Sequence, residues 1–427
     1  MGSEAKLVDG RGGGSSAHLT GAAYDVERIR ADFPILFREV HGKPLVYLDS
    51  GASAQKPRSV LEAMDHAYRF EYANVHRGLH HLSNIATDHF EAARETVRRF
   101  LNAGLPEEII FTRNATSAIN LVARCVGEIE IEEGDEIVLS IMEHHANIVP
   151  WHFLREKKGA VLKWLPINDR GELLVDQLNK LLTKKTKMVA ITHMSNVLGT
   201  VNPVKEIIRI AHAKGIPVLV DGSQAAVHMG VDVRDLDADF YVFTGHKTYG
   251  PTGIGVLYGK KHHLEALPPY EGGGDMIETV AVDRITYNKP PHKFEAGTPA
   301  IVEAIGLGAA LNYMMQVGRD KIARHEAEIA AYTGERLASL PWLKLYGTAP
   351  GKGAIFSFTI DGLHPHDVST IIDRSGVAIR AGHHCAQPLM ERLGVTATCR
   401  ASFAMYSTKA EVDTLVTALT KAHDLFA

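Results

Sequence analysis

Two periodicities alternate along this chain. Short, β-branched apolar runs recur at 136–140, 160–165, 188–192, 217–220, 240–243 and 254–258. Between most of them apolar residues return at helical spacing, as over 116–126, 148–157 and 203–214. Strand–helix–strand repetition of this kind predicts an α/β fold, a mostly parallel sheet covered by helices. Such sheets place their chemistry at the carboxyl ends of the strands. From 300 to about 340 a long helical stretch breaks the alternation, with Gly318 and Pro341 as interruptions. Strands at 354–360, 377–380 and 400–404, interleaved with helices at 366–373 and 409–426, then predict a smaller α/β unit.

The expected division is a large domain over 37–313 and a small C-terminal domain over 314–427 that carries Cys385. A segment over 21–36 is expected to pack on the small domain. Residues 1–20, with Gly12-Gly13-Gly14-Ser15-Ser16, lack apolar periodicity and are expected to form a flexible tail.

Composition narrows the class. Of 427 residues 45% are hydrophobic and 22% charged, which excludes global disorder. Lys+Arg 46 against Asp+Glu 50 leaves a net charge of -4, which argues against nucleic acid and against an anionic membrane surface as partners. No apolar stretch approaches the roughly 20 residues of a membrane helix. The three cysteines, Cys125, Cys385 and Cys399, make no disulfide framework and contain no Cys-x-x-Cys pair. A soluble, cytoplasmic protein without a metal centre is expected. Histidines number 23, several in adjacent pairs, but neighbours on one element point to different sides and do not chelate by themselves.

Three segments carry candidate chemistry. The apolar run 218–220 ends in Asp221, followed by Gly222-Ser223-Gln224. An acid at a strand tip suits a cationic ligand such as a protonated pyridine, although a turn-capping Asp has the same pattern. After the run 240–243 comes Thr244-Gly245-His246-Lys247-Thr248, where a partly desolvated lysine would offer a neutral amine. A Walker loop is excluded, because His246 separates glycine from lysine. Asn114-Ala115-Thr116-Ser117 opens a helix with hydroxyl residues, which fits either a phosphate site or a plain N-cap.

Phosphate cradle, pyridinium partner and strand-end lysine, in this order, match what pyridoxal phosphate requires. With Glu143-His144-His145-Ala146-Asn147, Ser195-Asn196-Val197-Leu198-Gly199-Thr200, Phe294-Glu295-Ala296-Gly297-Thr298-Pro299 and Arg380-Ala381-Gly382-His383-His384-Cys385-Ala386, the chain resembles the class V, fold-type-I enzymes. Within them it is most similar to the SUF-type, group II cysteine desulfurases and the related selenocysteine lyases.

The resemblance implies pyridoxal 5'-phosphate tethered to Lys247, which would also move the substrate's Cα proton. Asp221 would pair with the ring nitrogen, Gln224 with the ring hydroxyl, and His144 would stack on the ring. Thr116, Ser117, Thr244 and His246 would hold the phosphate, with Thr298 supplied by the other protomer of a homodimer. Asn196 and Arg400 would take the substrate carboxylate, Arg380 would be a second cation, and His76 would border the site across the dimer. Cys385 would take sulfur from L-cysteine, or selenium chemistry would proceed on L-selenocysteine. A SufE- or SufU-like acceptor serving iron–sulfur cluster assembly would receive the sulfur. An aminotransferase or kynureninase-like lyase would keep Lys247 and Asp221 but have no use for Cys385.

Overall fold

The computed structural model describes residues 24–426, so the tail expected over 1–20 lies outside the described residues. Strands β1 (Ile109–Thr112), β2 (Glu136–Ser140), β3 (Val161–Leu165), β4 (Thr186–Thr192), β5 (Val218–Asp221), β6 (Phe240–Thr244) and β7 (Gly255–Gly259) form one sheet in the order β1-β7-β6-β5-β4-β2-β3. β7 is antiparallel to both neighbours; the other pairings are parallel. The mostly parallel sheet is therefore mixed near one edge.

Successive strand residues face opposite sides, and here both sides are covered. Val218 and Val220 of β5 belong to one apolar cluster and Leu219 to the other. β2 divides the same way, with Val138 against Ile137 and Leu139. This is why the strands read as continuous apolar runs rather than alternating ones.

The helices that matter for the site are α1 (Val26–Ala31), α2 (His81–Leu101), α3 (Ala115–Ile129), α4 (Val149–Lys158), α5 (Val204–His212), α6 (Ile301–Val317), α7 (Arg319–Ala338), α8 (Gln387–Leu393) and α9 (Lys409–Asp424). One sheet face is covered by α2, α5 and α6 through Phe90, Ile207 and Leu307, the other by α3 and α4 through Ile119 and Trp151. The helical stretch expected over 300–340 is two helices, α6 and α7, meeting at Gly318. Its φ of +97° lies where glycine alone is at ease.

Strands β8 (Leu343–Tyr346), β9 (Ile355–Ile360), β10 (Arg380–Gly382) and β11 (Thr398–Ser402) form an antiparallel sheet in the order β8-β9-β11-β10. The strand expected at 377–380 is divided. Val377–Ala378 pairs in parallel with Val46–Tyr47, and the chain then turns into β10. Val46 and Leu48 share an apolar cluster with Phe358, Ile372 and Leu415.

The segment 24–36 touches both units. Tyr24 Oη donates to Met405 O at 2.6 Å and Arg30 pairs with Glu411 at 3.0 Å, while Ile29, Phe33 and Leu36 enter the large apolar cluster.

Candidate active site

The carboxyl ends of β4, β5 and β6 open into a cavity of about 520 Å³, roofed by residues of the small sheet. β5 ends in buried Asp221, whose carboxylate accepts the Ser223 N–H at 3.0 Å. Three residues beyond β6 stands Lys247. Burial pushes its ammonium down to about 8, Asp221 opposing the shift and Arg400 adding to it. The start of α3 reaches the cavity through Asn114, Ala115 and Thr116. Asn114 caps that helix by accepting the Ser117 N–H at 2.9 Å.

His144 lines the same cavity. Its Nδ1 accepts the Ala146 N–H at 3.1 Å, so Nε2 is the protonated nitrogen of the neutral ring. Burial first, then Lys247, holds His144 down at about 3, and burial lowers His246 to about 4. Beneath the loop, burial pushes the Glu143 carboxyl up to about 8, although Ser140, the Thr192 N–H and Asn147 all donate to it.

From the small sheet come Arg380 and Arg400, and from the turn after β10 come His384 and Cys385. Asp49 joins both guanidinium groups, taking Arg400 Nη2 at 3.1 Å and Arg380 Nη2 at 3.0 Å. Sequence reasoning missed Asp49, although it follows a short apolar run (Val46-Tyr47-Leu48) as Asp221 does. It also missed Lys56, whose Nζ donates to His246 O at 3.1 Å. Asn196 Nδ2 donates to His384 O at 2.8 Å, and Asn196 O accepts Arg400 Nη1 at 3.0 Å. Asn196 thus links the arginine to the Cys385 turn.

Cys385 is exposed and shares the cavity with Lys247. Cys125 and Cys399 are buried, and burial pushes both thiols up to about 12, which leaves them unreactive near neutrality. One ring nitrogen from each of His145 and His383 lies with Cys385 Sγ in a group no wider than 4.8 Å. That grouping joins residues from distant loops, so adjacent-pair reasoning did not reveal it.

Three expected residues lie outside this cavity within the chain. Ser117 and Thr298 line a second hollow of about 200 Å³, together with Arg113, Glu271 and Glu295. His76 bonds Glu91 at 2.9 Å, and Glu91 shares Arg94 with Glu295 of that hollow. Burial raises the Glu91 carboxyl, but bonds from His76 and Arg94 outweigh it and hold it at about 2.

Gln224 Nε2 is engaged by Gly51 O at 2.7 Å, yet Gln224 Oε1, Thr244 Oγ1 and Arg400 Nε are buried with no partner among the described residues. Buried polar atoms left unpaired in a cavity are open to a polar ligand. With an acid for a ring nitrogen, a helix start for a phosphate and an amine of lowered basicity, the donor set fits pyridoxal phosphate.

The Aminotransferase class-V family model matches residues 46–415. A probable cysteine desulfurase of Halalkalibacterium halodurans is 52% identical over 404 residues, 95% of this chain and 98% of that protein. Among solved structures, the cysteine desulfurase CsdA of Escherichia coli, in its S-sulfonic acid form, superposes with a TM-score of 0.89 at 42% identity, covering 95% of this chain and 100% of that one. The apo cysteine desulfurase of Thermococcus onnurineus gives 0.88 at 40% identity, covering 93% and 97%. Matched along most of its length in both sequence and fold, the chain belongs to the aminotransferase class-V family.

Proposed function

We propose that this chain is a pyridoxal-phosphate-dependent cysteine desulfurase, which converts L-cysteine to L-alanine and carries the sulfur away as a persulfide on Cys385. The observation that carries this reading is a single cavity lined by Lys247, Asp221 and Cys385. An aminotransferase has no need of an exposed thiol there.

Lys247 would tether the cofactor, Asp221 would face its ring nitrogen, and His144, kept neutral by burial, would lie against the ring. Gln224 would meet the ring hydroxyl, and Thr116, Thr244 and His246 the phosphate. The cofactor would supply a cationic conjugated ring that accepts the electron pair left when the substrate's Cα–H bond breaks. Arg400 and Asn196 would take the substrate carboxylate, for which a guanidinium fork supplies paired donors, with Arg380 as a second cation. Lys247, with its basicity lowered by burial, would accept the Cα proton.

Cys385 Sγ, as thiolate, then attacks the substrate sulfur. A sulfur–sulfur bond forms as the substrate's Cβ–S bond breaks, and that bond's electron pair stays with the three-carbon product. Protonation of the product gives alanine, so one cysteine and one thiol yield one alanine and one persulfide. The exposure of Cys385 suits hand-over to a SufE- or SufU-like protein for iron–sulfur cluster assembly. L-selenocysteine would enter the same receptor.

A homodimer is part of the proposal. Thr298 and His76 would serve a partner's cavity, and exposed Phe70 and Leu79 offer apolar surface for the contact. A cytoplasmic setting agrees with the free cysteines. Replacing Cys385 by Ser tests the reading: alanine formation from L-cysteine is expected to fall to background while visible cofactor absorbance persists. Undiminished alanine formation would refute the sulfur attack.

A further inference from the structure

His145 stands next to His144 in sequence but belongs to the other side of the site. His144 lines the cavity, whereas His145 grips the turn that carries the nucleophile. Its backbone N–H donates to Cys385 O at 2.7 Å, and its Nε2 accepts the Gln387 N–H at 3.2 Å. The two bonds fall one residue to either side of Ala386, the first on the carbonyl of the thiol-bearing residue itself.

That turn needs outside support. His384 and Cys385, neither of them glycine, have φ of +51° and +55°. Side chains are strained in this left-handed region and stay there only when neighbours hold them. Asn196 holds His384 O from one flank, and Thr398 engages His384 Nε2 at 2.9 Å. Within the turn His383 Nδ1 accepts the Cys385 N–H at 3.1 Å, and from outside it two further ties come from His145. Because Gln387 opens α8, its N–H has no partner within the helix, and the His145 ring provides one.

We propose that His145 is a positioning residue for the Cys385 thiol. It fixes the distance between the loop that faces the cofactor and the turn that delivers sulfur chemistry. Only one residue step separates His144, against the ring, from the anchor of Cys385. The inference rests on the desulfurase reading and extends it, since His145 is not among the residues that line the cavity of Lys247 and Cys385.

Three forms of the holoenzyme test it: wild type, His145→Ala and His145→Gln. The glutamine amide oxygen can still accept the Gln387 N–H, and alanine cannot. Alanine formation from L-cysteine is measured beside deuterium uptake at Cα of L-alanine in D2O, which needs Lys247 but not Cys385. Hydrogen exchange of the Gln387 amide is followed in the same proteins. In His145→Ala, kcat for desulfuration is expected to fall about tenfold or more, since small misplacements of a reacting group are costly. KM and Cα exchange should stay within about twofold, the pattern of a loss confined to one step. The Gln387 amide should exchange roughly fivefold faster or more once its acceptor is gone. His145→Gln should restore both. Equal loss of desulfuration and Cα exchange, no loss in either, or failure of glutamine to rescue would overturn the assignment. Wild-type enzyme that exchanges Cα but makes no alanine from cysteine would instead remove the desulfurase reading, and the assignment with it.

Discussion

The amine of an ordinary lysine keeps its proton to 10.5, but burial brings Lys247 down to about 8. Only the neutral amine attacks an aldehyde, so uptake of pyridoxal phosphate by the cofactor-free protein should speed up as pH rises toward about 8 and then level off. Stopped-flow absorbance checks this, and a flat profile from pH 6 to about 9 would contradict it. The linkage has a definite sign. The folded chain sheds this proton before the unfolded one, so between about 8 and 10.5 Lys247 makes stability rise with pH. Asp49 argues in the same way from its neighbours. It aims two guanidinium groups that would otherwise repel, and Asp49→Asn should raise KM for cysteine about tenfold, the worth of one charge-assisted bond. Cofactor absorbance should be unchanged. Lys247, Asp221 and Cys385 were legible because they lie in segments that together resemble a known family, and the structure brings all three to one cavity. Asp49 was not, because its run is only three residues long and its arginines lie 331 and 351 positions away.

Among the elements, β7 comes close to the start of α3, which would hold the phosphate in the proposed reading. A Cβ on Gly255 would stand 2.4 Å from the Asn114 carbonyl carbon and 2.8 Å from Ala115 N. Nothing there is a flexible side-chain end, so Gly255→Ala should cost about 1–3 kcal/mol and weaken cofactor binding as well. Urea unfolding and cofactor titration measure the two effects; a destabilised protein with native affinity would show that α3 does not hold the phosphate. Six of the seven strands of the large sheet, and α3, α4 and α5, were legible to within a few residues, since burial on both faces writes a continuous apolar run, whereas β1 and the long helix α2 were not. The strand expected at 377–380 was not divided in that reading. Its first half pairs with Val46–Tyr47, two residues too few to announce themselves as a strand.

At the scale of the whole molecule, the site exists because two units close on one another. Lys247 and Asp221 come from the large unit, Cys385 and Arg400 from the small one, and α7 places Ile322 in the large apolar cluster and Ile329 in the small unit's. Phe33, with no exposed surface, sits against the rings of Tyr249, Tyr313 and Tyr406 and ties the opening segment to both. Phe33→Ala should therefore destabilise the fold by about 3–5 kcal/mol, as large aromatic truncations in a core do. Thermal unfolding measures it, and a loss below about 1 kcal/mol would mean that the segment packs without bearing on the core.

By itself the sequence determined the class of fold, and its resemblance to a known family pointed to residues that the structure gathers in one cavity. Strand-end residues and helix openings are local features, and their residue types follow from the reaction. Tertiary structure decided everything that depends on distance between remote positions. Asp49 between two arginines, Asn196 spent partly on the Cys385 turn, His145 gripping that turn, and Thr298 with Ser117 in a second hollow are all of this kind. A hydrogen bond or an ion pair is a matter of a few ångströms, and chain separation carries no information about it until the sheet and its covering helices have brought the partners together.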